Sequence, residues 1–88
     1  MIRVEKIDER TFEATVAGLT TTTHRVTVDP SYHEKLTGGQ VSAEKLVEKS
    51  FEFLLKRESN TSILRTFELP VISRYFPEYE TTIRKMLK

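Results

Sequence analysis

Apolar and polar residues alternate along the first third of the chain, with the period of two that is typical of β-strands. This alternation predicts three strands within residues 2–28, separated by turns at Asp8-Glu9-Arg10 and at Gly18. One face of the sheet is expected to carry Ile2, Val4, Phe12, Ala14, Val16, Val26 and Val28. The other face is expected to carry Arg3, Glu5, Glu13, Thr15, Arg25 and Thr27. Because only one face is apolar, the pattern predicts a three-stranded antiparallel sheet covered by helices on a single side.

The residues after the predicted sheet carry the start and stop signals of a short helix. Asp29 is a suitable N-cap and Pro30 fits the first helical position. The pair Gly38-Gly39 provides a stop, because glycine tolerates the left-handed backbone that ends many helices. These signals predict a helix over about residues 30–37.

A longer helix is predicted over about residues 43–57, with Ser42 as its N-cap, and its apolar face is unusually wide. Leu46, Val47, Ser50, Phe51, Phe53, Leu54 and Leu55 form an arc roughly 200° wide on a helical projection. A helix that lies on one sheet needs a stripe only a little over ~100° wide. Either the C-terminal third of the chain or a second copy of the chain must therefore cover the remainder. The residues expected to contact this cover are Phe53, Val47, Phe51 and Leu55.

The spacing of apolar residues in the last third predicts three more helices, over about residues 62–69, 70–76 and 78–87. Pro77 suits the start of the last of these helices. The first is ambiguous, because a short apolar run of this kind also fits a strand. The strand alternative would line up Ile63, Phe67 and Leu69.

The composition narrows the class of protein. The chain has 88 residues, no cysteine and a formal net charge of +1. This length suits one domain, and the lack of cysteine excludes disulfides and thiolate metal ligands. No run approaches the ~18 consecutive apolar residues of a membrane span, and Met1–Lys6 lacks the apolar core of a signal peptide. We therefore expect a cytoplasmic protein that does not associate with membranes.

A basic segment near the C-terminus offers one functional hypothesis. Residues 64–76 have the outline of a helix-turn-helix, whose second helix would carry Ser73, Arg74 and Tyr75. The basic residues available to bind nucleic acid are Arg65, Arg74, Arg84 and Lys85. However, the turn lacks the usual glycine, and a nearly neutral chain lacks the concentrated positive patch that phosphate contacts need. Nucleic-acid binding is therefore the alternative function rather than the preferred one.

Candidate catalytic or metal-binding residues are few. His24 lies in phase with the apolar face of the sheet, where we expect a core-edge histidine that bonds to a backbone carbonyl. His33 lies four residues after Asp29, and a solvated surface pair is expected there. Neither histidine has a second potential metal ligand at a suitable spacing in the sequence. The pair Gly38-Gly39 is not followed by the lysine that a phosphate-binding loop needs. The sequence thus predicts no enzyme activity, no metal site and no cofactor.

Three segments resemble a group of small uncharacterised bacterial proteins. These segments are Leu36–Ser42, Ser50–Leu55 and Ile72–Glu80. The similarity covers most of residues 24–80. The group has no assigned activity, cofactor or catalytic residue, so the resemblance implies nothing about function.

The preferred hypothesis is a non-enzymatic interaction domain that forms a homodimer or binds another protein. It depends on the wide apolar face of the helix over residues 43–57 and on the lack of a catalytic set. If a second chain covers that face, the dimer should persist as salt is raised, because apolar burial is not screened.

Overall fold

A computed structural model describes all residues, 1–88, and has the α+β architecture expected from the sequence. One mixed sheet of four strands is covered by helices on a single face, and the hydrophobic core lies between the two layers. None of the helices has the length and apolar composition needed to cross a membrane. The elements in chain order are β1 (Ile2–Lys6), β2 (Thr11–Val16), β3 (Thr22–Thr27), α1 (Pro30–Thr37), α2 (Ala43–Leu55), a 3-10 turn (Asn60–Ser62), β4 (Thr66–Glu68), α3 (Val71–Tyr75) and α4 (Tyr79–Met86).

The first three strands form the antiparallel meander that the sequence predicts. β1 pairs with β2, and β2 pairs with β3, both in antiparallel orientation. On the predicted apolar face, Ile2 and Val4 of the outer strand β1 are half-buried. The fully buried residues of that face are Phe12, Ala14, Val16, Val26 and Val28. The period of two therefore identified both faces of this part of the sheet.

The helix predicted over residues 62–69 is wrong, and with it the expectation of only three strands. Thr66–Glu68 forms β4, which pairs in parallel with β3 and places Phe67 beside Val26. The side chain of Phe67 is buried, whereas those of its two neighbours in the strand are exposed. A parallel pairing depends on a strand far away in the sequence, so the local apolar pattern could not decide between helix and strand.

The predicted signals for the first two helices are confirmed. The side chain of Asp29 accepts a hydrogen bond from the first turn of α1, and Gly38 ends that helix with a left-handed φ of 66°. The side chain of Ser42 caps α2 in the same way. α2 ends at Leu55, slightly before the predicted end at residue 57.

The C-terminal third of the chain covers the wide apolar face of α2. The ring of Phe53 makes edge-on contacts with the rings of Phe76 and Tyr79, at centroid distances of 5.9 and 5.2 Å. The residues that the sequence assigned to an interface are Val47, Phe51 and Phe53, which are fully buried, and Leu55, which is half-buried. The chain itself therefore covers most of this face, and the three fully buried residues offer no surface to a second copy.

The last two helices are present, each with one residue fewer at either end than predicted. α3 is a single turn, because Pro70 directly precedes it and Pro77 follows shortly after it. A strand followed by a one-turn helix is not a helix-turn-helix. That interpretation of residues 64–76 is therefore wrong.

Candidate functional site

An open apolar groove lies between β4, α3 and the end of α2. Its polar lining residues are Glu58 and Ser62. The lining side chains that are also part of the buried core are Leu54, Ile63, Phe67 and Ile72. The lining side chains that remain partly or mostly exposed are Leu64, Val71, Tyr75 and Phe76. The groove is thus an accessible extension of the hydrophobic core.

The short length of α3 leaves this space beside β4 open. Pro70 begins the turn, and its carbonyl oxygen accepts a hydrogen bond from the Ser73 hydroxyl at 2.8 Å. Phe76 already has an extended backbone, since the following Pro77 disfavours a helical conformation there. One turn of helix buries Ile72 but leaves Val71 half-buried and Tyr75 exposed.

Two large apolar side chains at the groove are unusually exposed. Leu64 is 48% exposed and Tyr75 is 66% exposed. Single exposed apolar residues are common on protein surfaces, but a contiguous apolar patch indicates a binding surface. The other exposed large apolar residues are Met1, Ile7 and Leu19, and none of them lines the groove. Leu64 and Tyr75 therefore enlarge the apolar surface of the groove, whereas the other three are isolated from it.

The size of the groove limits what it can hold. Its volume is about 170 Å³, close to the ~150 Å³ of a cavity that accepts a benzene-sized molecule. Pockets for cofactors and drug-sized ligands usually measure ~300–1,000 Å³. The groove therefore has room for one aromatic or branched aliphatic side chain rather than for a nucleotide cofactor.

β4 adds a free backbone edge to the site. The Leu69 N–H donates to the Thr27 carbonyl oxygen, and the Arg65 carbonyl oxygen also accepts a bond from β3. Backbone groups alternate in direction along a strand, so those of Thr66 and Glu68 point away from β3. Both residues are exposed. This edge offers donors and acceptors to an extended chain segment lying beside the groove.

His24 fixes the loop that forms one side of the groove. Its buried ring has Nδ1 2.8 Å from the Leu64 carbonyl oxygen and Nε2 2.8 Å from Thr22 Oγ1. Because a carbonyl only accepts, Nδ1 carries the proton and Nε2 accepts from the Thr22 hydroxyl. The Asn60 amide donates to the same hydroxyl oxygen at 3.0 Å. The expectation of a core histidine bonded to a backbone carbonyl is confirmed.

Burial is the main influence on the pKa of His24 and holds it below the usual value of 6.5. The hydrogen bond to the Leu64 carbonyl opposes this effect, and the nearby Arg65 guanidinium adds to it. Both ring nitrogens are occupied inside the core, so neither is free to act on a substrate.

His33 makes a different contact from the predicted one. Its Nε2 donates to the Val41 carbonyl oxygen, in the loop that returns over α1. The Asp29 carboxylate instead accepts from Ser31 and lies 3.7 Å from Arg10. The predicted surface pair of His33 with Asp29 is therefore wrong. No cluster of three or more histidine or acidic side chains lies close enough together to hold a metal ion.

A polar cluster between α1 and α4 contains two more perturbed groups. The Tyr32 hydroxyl donates to Glu80 Oε2 at 2.8 Å, and Lys35 Nζ lies 3.5 Å from Oε1. The hydrogen bond from Tyr32 lowers the pKa of Glu80, and burial raises the pKa of Tyr32. These groups satisfy one another, so the cluster joins the two helices and leaves no reactive group free.

The four basic residues of the nucleic-acid hypothesis are exposed but belong to different parts of the surface. They are Arg65, Arg74, Arg84 and Lys85. Arg65 lies near His24 of β3, whereas Arg84 lies near Glu80 and Tyr32 between α1 and α4. The outer face of the sheet also lacks the aromatic side chains on which single-stranded bases stack.

Comparison with protein-family models, with curated proteins and with solved structures gives no match. The resemblance to small bacterial proteins stays a prediction. Its three segments contribute the end of α1 with the following loop, the buried half of α2, and the region from α3 into α4.

Sequence reasoning did not find the groove. It assigned Leu64 and Tyr75 to helices and gave them no role in protein interaction. The available signal was the pair Pro70 and Pro77, which leaves room for only one helical turn in an apolar stretch. A helix that short cannot bury every apolar residue around it.

Proposed function

We propose that this chain is a non-enzymatic interaction domain that binds an extended apolar segment of a partner protein along β4. The observation that carries the proposal is the open groove, in which eight of ten lining residues are hydrophobic. The partner segment places one large side chain in the groove. Its backbone pairs with the outward N–H and C=O groups of Thr66 and Glu68, as in other cases of strand addition.

The chemistry of the groove favours binding over catalysis. Its polar side-chain groups are one carboxylate, from Glu58, and two hydroxyls, from Ser62 and Tyr75, and none of the three hydrogen-bonds to another. Nucleophilic or acid–base catalysis needs a second group that activates the first, and Ser62 Oγ lies near only the Ser59 hydroxyl, at 3.3 Å. A cytoplasmic location, expected from the sequence, is part of the proposal.

The nucleic-acid alternative has less support, because its basic residues are dispersed and α3 is too short to be a recognition helix. The two functions differ in their response to salt. Phosphate contacts weaken steeply as salt rises, whereas burial of an apolar side chain does not.

A displayed library of random peptides tests the proposed function. Selection on the wild-type chain should enrich peptides that share one large aromatic or branched aliphatic residue. Leu64→Asp should weaken binding of an enriched peptide at least about tenfold, because it places a charge beside the apolar groove. Leu19→Asp is the matched control, since Leu19 is fully exposed in a turn outside the groove.

Two outcomes would contradict the proposal. One is an enriched peptide that binds Leu64→Asp as tightly as the wild-type chain. The other is the absence of any enriched peptide, together with salt-sensitive binding of DNA or RNA that Arg65→Ser and Arg74→Ser abolish. The second result would favour the nucleic-acid function.

A further inference from the structure

β1 forms the edge of the sheet opposite to β4, and its outer backbone is unpaired. The Ile7 N–H donates to the Thr11 carbonyl oxygen, and the Ala17 N–H donates to the Met1 carbonyl oxygen. The odd-numbered residues of this segment therefore face β2. The residues whose N–H and C=O groups point outward are Ile2, Val4 and Lys6. These groups have no hydrogen-bond partner elsewhere in the chain.

The charges along this edge are unbalanced within one chain. Glu5 lies directly opposite Glu13 on the outer face of the sheet, where like charges repel. Glu13 is compensated by Arg25 at 3.6 Å, but Glu5 has no basic partner. Two positions away on the same face, Arg3 lies opposite Thr15 and has no acidic partner. The edge therefore carries one free acid and one free base.

We propose that β1 pairs in antiparallel orientation with β1 of a second copy of this chain, with Val4 opposite Val4. In this register Arg3 lies opposite Glu5 of the second copy, and two-fold symmetry forms the same pair twice. Each Glu5 then has a cation on the side away from Glu13. The symmetric interface therefore supplies the charge that one chain lacks.

The charge pattern selects this register among the symmetric ones. Only residues on the same face can lie opposite each other, so one strand can shift along the other only by an even number of residues. A shift in one direction places Arg3 opposite Arg3, and a shift in the other places Glu5 opposite Glu5. Like charges directly opposite each other destabilise a strand pair. The register centred on Val4 also has the longest overlap.

The helix-covered side of the same edge is complementary as well. An open space of about 400 Å³ lies between this edge and the start of α2, and it is lined by Ile2, Arg3, Val4, Ser42, Glu44, Lys45 and Glu48. In the proposed register Ile2 lies opposite Lys6 of the second copy. The alkyl stem of Lys6 covers Ile2, and its ammonium group extends towards Glu44. Glu48 already has a cation, because Lys45 Nζ lies 3.3 Å from its carboxylate.

This interface differs from the one expected from the sequence. The predicted homodimer used the apolar face of α2, which the chain itself covers. The β1 edge lies across the sheet from the groove, so the pairing does not rest on the proposed peptide binding. A dimer formed in this way presents two grooves facing away from the interface.

Charge reversal tests the proposed pairing. Sedimentation velocity of the wild-type chain at low salt should show a dimer. Arg3→Glu and Glu5→Arg each place like charges opposite each other twice, so each should raise the dimer dissociation constant about tenfold or more. An equal mixture of the two variants forms attractive pairs only between unlike chains, so mixing should restore the dimer.

The controls separate pairing from folding and from net charge. Circular dichroism checks that each variant is folded, as expected for exposed positions. Lys56→Glu changes the net charge as Arg3→Glu does, but at an exposed position after α2, and it should leave the dimer intact. A monomeric wild-type chain would overturn the proposal. So would a dimer that the two reversals do not weaken, or variants that fail to associate when mixed.

Discussion

His24 is the residue whose protonation state is tied most directly to the fold. Its pKa is lower in the folded chain than the usual 6.5, so the unfolded chain binds a proton first as the pH falls. The contribution of His24 to stability is therefore fully present above about pH 6.5. This contribution is lost progressively as the pH falls below that value and through the pKa of His24 in the folded chain. Urea unfolding at about pH 7.5 and about pH 5.5 should show a lower free energy of unfolding at the acidic pH.

A non-titrating variant provides the control for this prediction. His24→Asn keeps an amide donor near the Leu64 carbonyl, so its stability should change less between the two pH values. Carboxylates with lowered pKa values, such as Glu80, lose their contribution only at more acidic pH. Equal pH dependence in His24→Asn and the wild-type chain would contradict the assignment.

Ser50 and Tyr79 form a buried pair of hydroxyl groups, and substitutions can test how much their hydrogen bond stabilises the fold. The Ser50 hydroxyl donates to the Leu46 carbonyl oxygen at 2.7 Å and accepts from the Tyr79 hydroxyl at 2.6 Å. Ser50→Ala leaves the Tyr79 hydroxyl buried without a partner and should destabilise the fold by about 1–3 kcal/mol. Tyr79→Phe leaves Ser50 bonded to Leu46, so it should cost only about 1 kcal/mol. Urea unfolding of both variants measures these losses.

The double variant decides whether the two hydroxyls act together. Ser50→Ala combined with Tyr79→Phe should cost less than the two single changes added, because no unsatisfied hydroxyl remains. Strict additivity would mean that the hydroxyls do not interact in solution.

At the scale of elements, β4 has the clearest experimental signature. In the parallel pairing the amides of Phe67 and Leu69 face β3, whereas those of Thr66 and Glu68 face outward. Amide hydrogen exchange followed by NMR should therefore show slow exchange at the first pair and fast exchange at the second. Uniform protection over these residues would instead fit the helix that the sequence pattern predicted.

The same measurement connects β4 to the proposed function. A bound peptide that extends the sheet must accept hydrogen bonds from the Thr66 and Glu68 amides. Both amides should become protected when an enriched peptide is added. Protection elsewhere, with these two unchanged, would place the peptide at another surface.

The elements that depend on local signals could be predicted from the sequence. Asp29 and Ser42 mark the starts of α1 and α2, and the alternation from Ile2 to Val28 marks three strands. β4 could not be predicted, since its three residues are too few to establish a period. Its pairing depends instead on distant β3.

The groove could not be predicted for a related reason. It exists because α3 stops short beside β4. Pro70 and Pro77 indicate that this helix is short, but local sequence patterns do not show that it lies beside β4. Phe53 shows the same limit. Its position on the apolar face of α2 was predicted correctly, but the sequence left open whether the C-terminal third or a second copy covers it. The structure places Phe76 and Tyr79 of the same chain there.

The whole molecule is expected to unfold as one cooperative unit. Phe51 contacts His24 of β3 and Phe67 of β4, so α2 and both strands share one core. Leu46→Ala should therefore reduce the free energy of unfolding by about 2–5 kcal/mol, a large part of the ~5–15 kcal/mol of a typical domain. For the wild-type chain and for Leu46→Ala, the urea transitions measured by far-ultraviolet circular dichroism and by tyrosine fluorescence should coincide. Separate transitions would indicate that the C-terminal third unfolds independently.

The parallel pairing of β3 with β4 also determines when the fold can be completed during translation. The meander and α2 form from neighbouring residues, whereas β4 must wait until the chain between Thr27 and Thr66 has closed into a loop. At ~5–20 residues per second, the ribosome needs a few seconds to make the segment that follows α2. In that interval Phe51 lacks its contact with Phe67, and Phe53 lacks its contacts with Phe76 and Tyr79. The nascent chain, rather than the finished protein, is then the state in which the apolar face of α2 is exposed to chaperones and to aggregation.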